Sequence, residues 1–327
     1  MKRHLVLVIL LFLNLTIFAQ EFTHPAAYNN FIVEEMNEIV TKNLEYISQS
    51  VHSQNYEQIE LKRQNLVKQI KIAYQAISQQ PPYEKGEQLQ SECIAVLKIY
   101  QQVFEVELQE ANLLKQTSEE SFEAMEAYFK TQDIAEKNLE KATDRFYKAQ
   151  KAFIKIHNIP VENVSENTEI EAQFKNMAEV NAYIRALYLM NFQLSKYNAI
   201  FFEAVGNKDV AGLDAKRKRI ESAANTSLSE LSKMSDFKGD RDLLEKTIDI
   251  VEFYQEMSSK GFVDIVKVLQ AKPETITQAD VNKYNEAIQQ FNSRIQGLTN
   301  DVNQAQNDLL KKHIPKYNIM NKDIKRT

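Results

Sequence analysis

Glycine and proline are scarce, with six of each in 327 residues. Few turns can be built from the residues that best punctuate a chain, so long segments with few connections are expected. Glu, Gln, Lys, Ala and Leu dominate instead, and these are good helix formers. Cysteine is scarcer still. Cys93 is alone, which excludes an intramolecular disulfide and any Cys-x-x-Cys site for zinc or covalent haem. No Gly-x-Gly-x-x-Gly, P-loop or Gly-x-Ser-x-Gly sequence occurs, so the phosphate-cradling loops and the nucleophile elbow are missing. Beyond the N-terminus no apolar run is long enough to cross a membrane. Disorder is unlike this chain as well, since 43% of it is hydrophobic.

The first segment reads as an export signal. Lys2 and Arg3 give a positive start, Leu5 to Leu13 a short apolar stretch, and Ile17-Phe18-Ala19 a cleavage site after Ala19. Asn14 and Thr16 break the run too early for a spanning helix. Cleavage removes Lys2 and Arg3 and takes the net charge from −5 to −7. An acidic surface offers no general attraction for nucleic acid, and none is expected as a partner. The mature chain is expected to be exported, in the periplasm, on the outer surface or outside the cell.

The rest of the sequence repeats. At an offset of 154 residues Met36 falls on Met190, Val51 on Val205, Lys62-Arg63 on Lys216-Arg217 and Tyr100-Gln101 on Tyr254-Gln255. At an offset of 156 Tyr128 falls on Tyr284, Ala149-Gln150 on Ala305-Gln306, Lys155 on Lys311 and His157 on His313. Ordered matches across four successive segments indicate internal duplication. The clearest helix is the last. Val281, Tyr284, Ile288, Phe291, Ile295, Leu298, Val302, Ala305 and Leu309 step by three and four, a heptad seam. Its counterpart runs from Met125 through Ala135, Leu139, Ala142, Phe146 and Ala149 to Phe153. Thr277 with Asp280 forms a start signal close to a capping box, and Pro160 and Pro315 stop the two helices. Val33, Met36, Val40, Leu44, Ile47 and Val51 mark a first face. Ile59, Leu66, Ile70, Ala73 and Ile77 mark a second, and Leu89 to Leu114 a third helix of about eight turns.

The expected fold is therefore all-α, with two tandem, homologous long four-helix bundle units. Residues 1–19 are the signal peptide and 20–157 the first unit. Residues 158–175 are a linker or the start of the next helix, with Thr168 as a candidate cap. Residues 176–315 are the second unit and 316–327 a polar tail.

Little chemistry is legible. Di-iron bundles need Glu-x-x-His on two helices, and the only such spacing is Glu21 to His24 in the extended N-terminus. His157 and His313 are candidates for a metal or proton-sensitive site. The simpler reading makes them cations at helix C-termini, beside Lys155 and Lys311, where they complement the helix dipole. Phe192, Tyr197, Phe201 and Phe202 line either a ligand pocket or an ordinary core. Lys216-Arg217-Lys218-Arg219 is the densest basic run, and Asp214 and Glu221 beside it favour a solvated face over an anion-binding one. The reading names no catalytic, cofactor-binding or metal-ligating residue, no cofactor and no enzyme activity.

With Phe18-Ala19-Gln20 at the export signal, its length and its helical character, the chain resembles a family of exported bacterial surface proteins of unknown function, known from spirochaetes and Bacteroidota. The resemblance implies a cell-envelope location and adds no catalytic residue. The leading function is a non-enzymatic envelope or surface protein that presents long helical faces to a protein partner. The alternative is a periplasmic solute-binding or sensory bundle. A membrane-active bundle ranks lower, because it would carry a long apolar hairpin that is absent from the sequence.

Overall fold

The computed structural model describes residues 22–52, 55–160 and 164–314. Among them the fold is all-helical and contains no strand. The elements follow the scarcity of turn residues. In the first half come α1 (Pro25–His52), α2 (Tyr56–Gln79), α3 (Glu87–Gln102), a π turn (Val103–Glu107), α4 (Leu108–Thr117) and α5 (Phe122–Ile156). Then follow α6 (Val164–Gly206), α7 (Leu213–Leu231), α8 (Asp242–Ser259), α9 (Gly261–Gln270) and α10 (Gln278–His313). At 1.5 Å per residue α6 is about 65 Å long and α10 about 54 Å.

Local signals set the helix starts. Asn55 accepts from the Gln58 amide at 3.1 Å, and Ser121 from the Ala124 amide at 3.0 Å. Thr277 and Asp280 form the expected capping box, with the reciprocal bonds at 3.2 and 3.1 Å. Asn158, at φ 50°, turns the chain after α5. Gly86 opens α3 because any larger residue would collide. A Cβ there would stand 2.8 Å from the Tyr83 carbonyl oxygen and 3.0 Å from the Tyr28 ring.

Two apolar cores result. Tyr28, Ile32, Leu66, Ile70, Leu89, Cys93, Val96, Phe146 and Phe153 belong to the first, which is built by α1, α2, α3 and α5. Val180, Leu187, Phe201, Ile220, Ile250, Tyr254, Phe262, Phe291 and Leu309 belong to the second, built by α6 to α10. The halves meet where α5 and α6 run antiparallel. Phe129 packs edge-on against Tyr188 at 5.6 Å. Arg185 bridges Asp133 and Glu136, the latter at 2.5 Å. At the end of α1, Ile47 packs against the second core and His52 Nε2 lies 3.0 Å from the Ile314 carbonyl oxygen.

Several expectations shift. The first helix buries Tyr28, Ile32, Met36 and Ile39, while Val33, Val40, Leu44 and Ile47 are only half-buried. The helix is touched from two sides, by its own core and near its end by the second, so a single stripe does not describe it. Thr168 lies inside α6, which is already helical from Val164, and not at its start. The third helix does run from Leu89 past Leu114, but with a π turn inside it. No helix of the described residues is long and apolar enough to cross a membrane. The expected signal peptide, Pro315 and the tail 316–327 lie outside the described residues, as does the side chain of Val51.

Candidate functional site

Glu21 of the Glu-x-x-His spacing lies outside the described residues, whereas the paired histidines and the basic run lie within them. The two histidines lie at helix ends, as the pattern requires, but their rings turn inward. His157 stands 4.5 Å from the Phe153 ring and 5.5 Å from Tyr83, a residue of the α2–α3 turn. Tyr83 in turn stacks on Tyr28 at 6.1 Å. His313 meets Phe237 perpendicularly at 4.8 Å, and Phe237 lies 5.3 Å from Tyr183. The turn carrying Phe237 is held by a two-way backbone pair with Asp240, at 2.9 Å each way. Both Nε2 atoms are buried without a hydrogen-bond partner. Burial lowers the His313 pKa below the ordinary histidine value, with Lys312 and Lys238 adding to the fall and Asp240 opposing it. His313 is thus a neutral packing group rather than a solvated cation on the helix dipole.

The basic run also turns inward. The side chain of Arg217 is only 8% exposed. It donates to Asp214 at 2.8 Å, to Glu221 at 2.6 Å and to the Ser258 carbonyl at 2.7 Å. Ser258 lies in the last turn of α8, where carbonyls lack helical donors, and Arg217 supplies one. Lys216 and Lys218 pair with Asp209 and Asp214 at 3.7 and 2.8 Å, and Arg219 lies 4.0 Å over the Tyr197 ring. The run is therefore locally neutralised and partly structural, where the sequence suggested a solvated face.

Arg63 makes the same kind of clasp on α2. It holds Glu60 at 2.5 Å and donates to the Phe104 carbonyl at 2.5 Å. The cause lies in the π turn. There the Leu108 amide bonds to the Val103 carbonyl, one residue back from the α-helical partner. The Phe104 oxygen is left over, and the guanidinium takes it. Lys62-Arg63 and Lys216-Arg217 stand out in the sequence as a repeated pair. The carboxylate three residues earlier, Glu60 and Asp214, is the signal that marks the clasp.

The aromatic group of α6 is core. Phe201 stacks on Phe262 at 4.8 Å, and Phe202 meets Phe262 at 5.3 Å and Phe291 at 4.9 Å. Phe192 lies instead by Tyr188 and Lys196, near the α5–α6 contact. Cys93 is fully buried, and burial with the nearby Glu35 charge pushes its thiol up to about 12. At that value it stays protonated and unreactive. Among the described residues no group of three or more His, Cys, Asp or Glu could hold a metal.

Among the described residues two surface grooves stand out. One, of about 460 Å³, lies between α3 and α5 beside the π turn and is lined by Lys98, Gln102, Glu107, Asn138, Lys141 and Arg145. The other, of about 630 Å³, runs along α7 past Glu221, Asn225, Ser229 and Lys233. Sequence reasoning missed Arg185, the ionic link between the halves. Its signal was a lone arginine in the apolar middle of α6. Comparison with known protein families, curated proteins and solved structures finds no match.

Proposed function

We propose that the chain is a non-enzymatic protein of the bacterial envelope or surface, made of two tandem, homologous four-helix units, whose long helical faces engage a partner. The observation that carries the tandem reading is a recurrence of polar contacts in register. Arg63, Glu60 and Phe104 lie 154 residues before Arg217, Asp214 and Ser258, and each arginine joins its two partners alike. At the other end of each unit Tyr28, Tyr83 and His157 correspond to Tyr183, Phe237 and His313, with offsets of 155, 154 and 156. The π turn at Val103–Glu107 takes the place of the break at Lys260 between α8 and α9. The first helix registers best at an offset of 155, where buried Ile32 and Ile39 meet buried Leu187 and Leu194. That is one residue beyond the offset read from the sequence.

The functional part follows from how the reactive residue types are used. His157, His313, Arg63, Arg217 and Cys93 are all engaged in packing or in satisfying backbone groups. What the molecule offers outward is length and surface, which suits a scaffold or adhesin-like role. Export, the envelope location and kinship with exported surface proteins belong to this reading. A solute-binding bundle is the second reading, and the α3–α5 groove favours it.

The test is photo-crosslinking in intact cells of the native host, with a probe amino acid placed in turn at exposed Gln289, Asn300 and Lys141. A discrete envelope adduct formed from some positions and not others is the expected result. Adducts with cytosolic proteins only, or none at any position, would contradict the proposal.

A further inference from the structure

Lys137, Lys141, Lys148, Lys151 and Lys155 recur along α5 at spacings of four, seven, three and four residues. That spacing puts them on one side of a straight helix, over about 27 Å. All five are exposed. Among the described residues none of them forms an ion pair. Arg145 borders the row but is held by Glu92 at 2.7 Å, and Lys98 faces it across the α3–α5 groove. Glu140 and Asp144 are the two acids inside the row, so the five lysines and Arg145 outnumber them by six to two. Two isoleucines flank it, Ile134 and Ile156, each 50% exposed.

Exposed lysines alone say little, because most merely keep a helix solvated. Here the molecule supplies its own control. On the tandem-unit reading above, on which this inference rests, α10 is the counterpart of α5. It buries Phe291, Val302, Ala305 and Leu309 where α5 buries Ala135, Phe146, Ala149 and Phe153. Yet the positions matching the five lysines hold Ser293, Gly297, Gln304, Asn307 and Lys311. Four of the five lack the charge, and α10 packs in the same way. The positions matching Ile134 and Ile156 hold Gln290 and Lys312. Folding this helix therefore requires neither the lysines nor the isoleucines.

We propose that the lysine row of α5 is a docking surface for an anionic lipid headgroup layer, with Ile134 and Ile156 entering the headgroup boundary. A row of cations attracts anionic headgroups within a Debye length, and exposed apolar side chains then add contact with the acyl boundary. Phosphate on a nucleic acid would also meet the lysines, but it would leave the two isoleucines without a partner. The net negative charge of the rest of the chain orients the molecule with α5 toward the membrane. The helix lies on the surface and does not cross it, in keeping with its polarity.

The test is co-sedimentation of the mature chain with vesicles of phosphatidylcholine, with or without phosphatidylglycerol. Binding is expected only with the anionic lipid, and it should fall at least about tenfold between roughly 0.1 M and 1 M salt. Replacing the five α5 lysines by glutamine should reduce binding about tenfold or more. Replacing five exposed lysines elsewhere (Lys208, Lys233, Lys260, Lys272 and Lys283) changes the net charge equally and should alter it less than about twofold. Equal binding to both lipids, salt-independent binding, no binding, or binding to duplex DNA but not to vesicles would overturn the proposal. Thermal melts of the same variants separate the two readings. A five-glutamine α5 variant that melts like the parent but still binds sinks the docking surface. One that unfolds sinks the equivalence of α5 and α10, and the salt and lipid dependence of the parent then decides the docking claim by itself.

Discussion

Arg63 and Arg217 lie 154 positions apart, and each gives a guanidinium hydrogen bond to a backbone carbonyl, Phe104 and Ser258, that lies 41 residues further along its own chain segment. In both places the carbonyl has lost its helical donor, once at a π turn and once at a helix end. The arginines are thus backbone clasps, each balanced by a carboxylate three residues earlier.

Truncating either clasp should be costly. Arg217→Ala removes the donor of a buried carbonyl and of Glu221 and leaves Asp214 with Lys218 alone, and should destabilise the protein by about 2–3 kcal/mol. Arg217→Lys should recover little, since one ammonium cannot reproduce three directed contacts. Chemical denaturation measures both. A loss under about 0.5 kcal/mol for the alanine variant would show the carbonyl to be satisfied by water.

Ile295 tests the heptad seam of α10. It is half-buried and packs against the second core. Ile295→Asp places a carboxylate there and should cost about 2 kcal/mol or more. Differential scanning calorimetry should then show the second core melting earlier than the first. An unchanged trace would mean that the seam is dispensable.

These examples show what the sequence could carry. The seam of α10 and its Thr277–Asp280 cap were legible because both depend on spacings of three and four within one segment. The face of α1 was not, because contacts from a distant segment reach Ile47 and His52. Arg217 read as solvated because its neighbours Lys216, Lys218 and Arg219 are charged. Only the three-dimensional register reveals that Ser258 needs a donor. The sequence placed both histidines at helix ends, but their ring environments depend on Tyr83 and Phe237, turn residues more than 70 positions away.

His313 gives a dependence on pH. Its pKa is lowered by burial. The unfolded chain takes up its proton near pH 6.5, while the folded chain does so only at lower pH. Stability from this group is therefore complete above about pH 6.5 and is lost as pH falls below that value toward the folded pKa. The melting temperature should fall less between about pH 7.5 and pH 5.5 in His313→Gln than in the parent. Parallel curves would refute the burial argument.

Arg185 joins the halves, with its side chain 11% exposed between Asp133 and Glu136. Arg185→Glu sets three acids together and should weaken the α5–α6 contact by about 3 kcal/mol or more. Small-angle scattering should report a larger radius of gyration with little loss of helix by circular dichroism. An unchanged radius would show that Phe129, Tyr188 and the contacts around Ile47 hold the halves without it.

The tandem reading makes each core self-sufficient, and the most direct measurement is the folding of residues 164–314 expressed alone. This fragment contains α6 to α10, the Arg217 clasp and the His313 end, but none of the first core. The account predicts a monomer with helical circular dichroism and a single cooperative thermal transition, which Arg217→Ala shifts to lower temperature. A fragment that is unfolded, or that melts without cooperativity, would contradict it and make the two cores one folding unit.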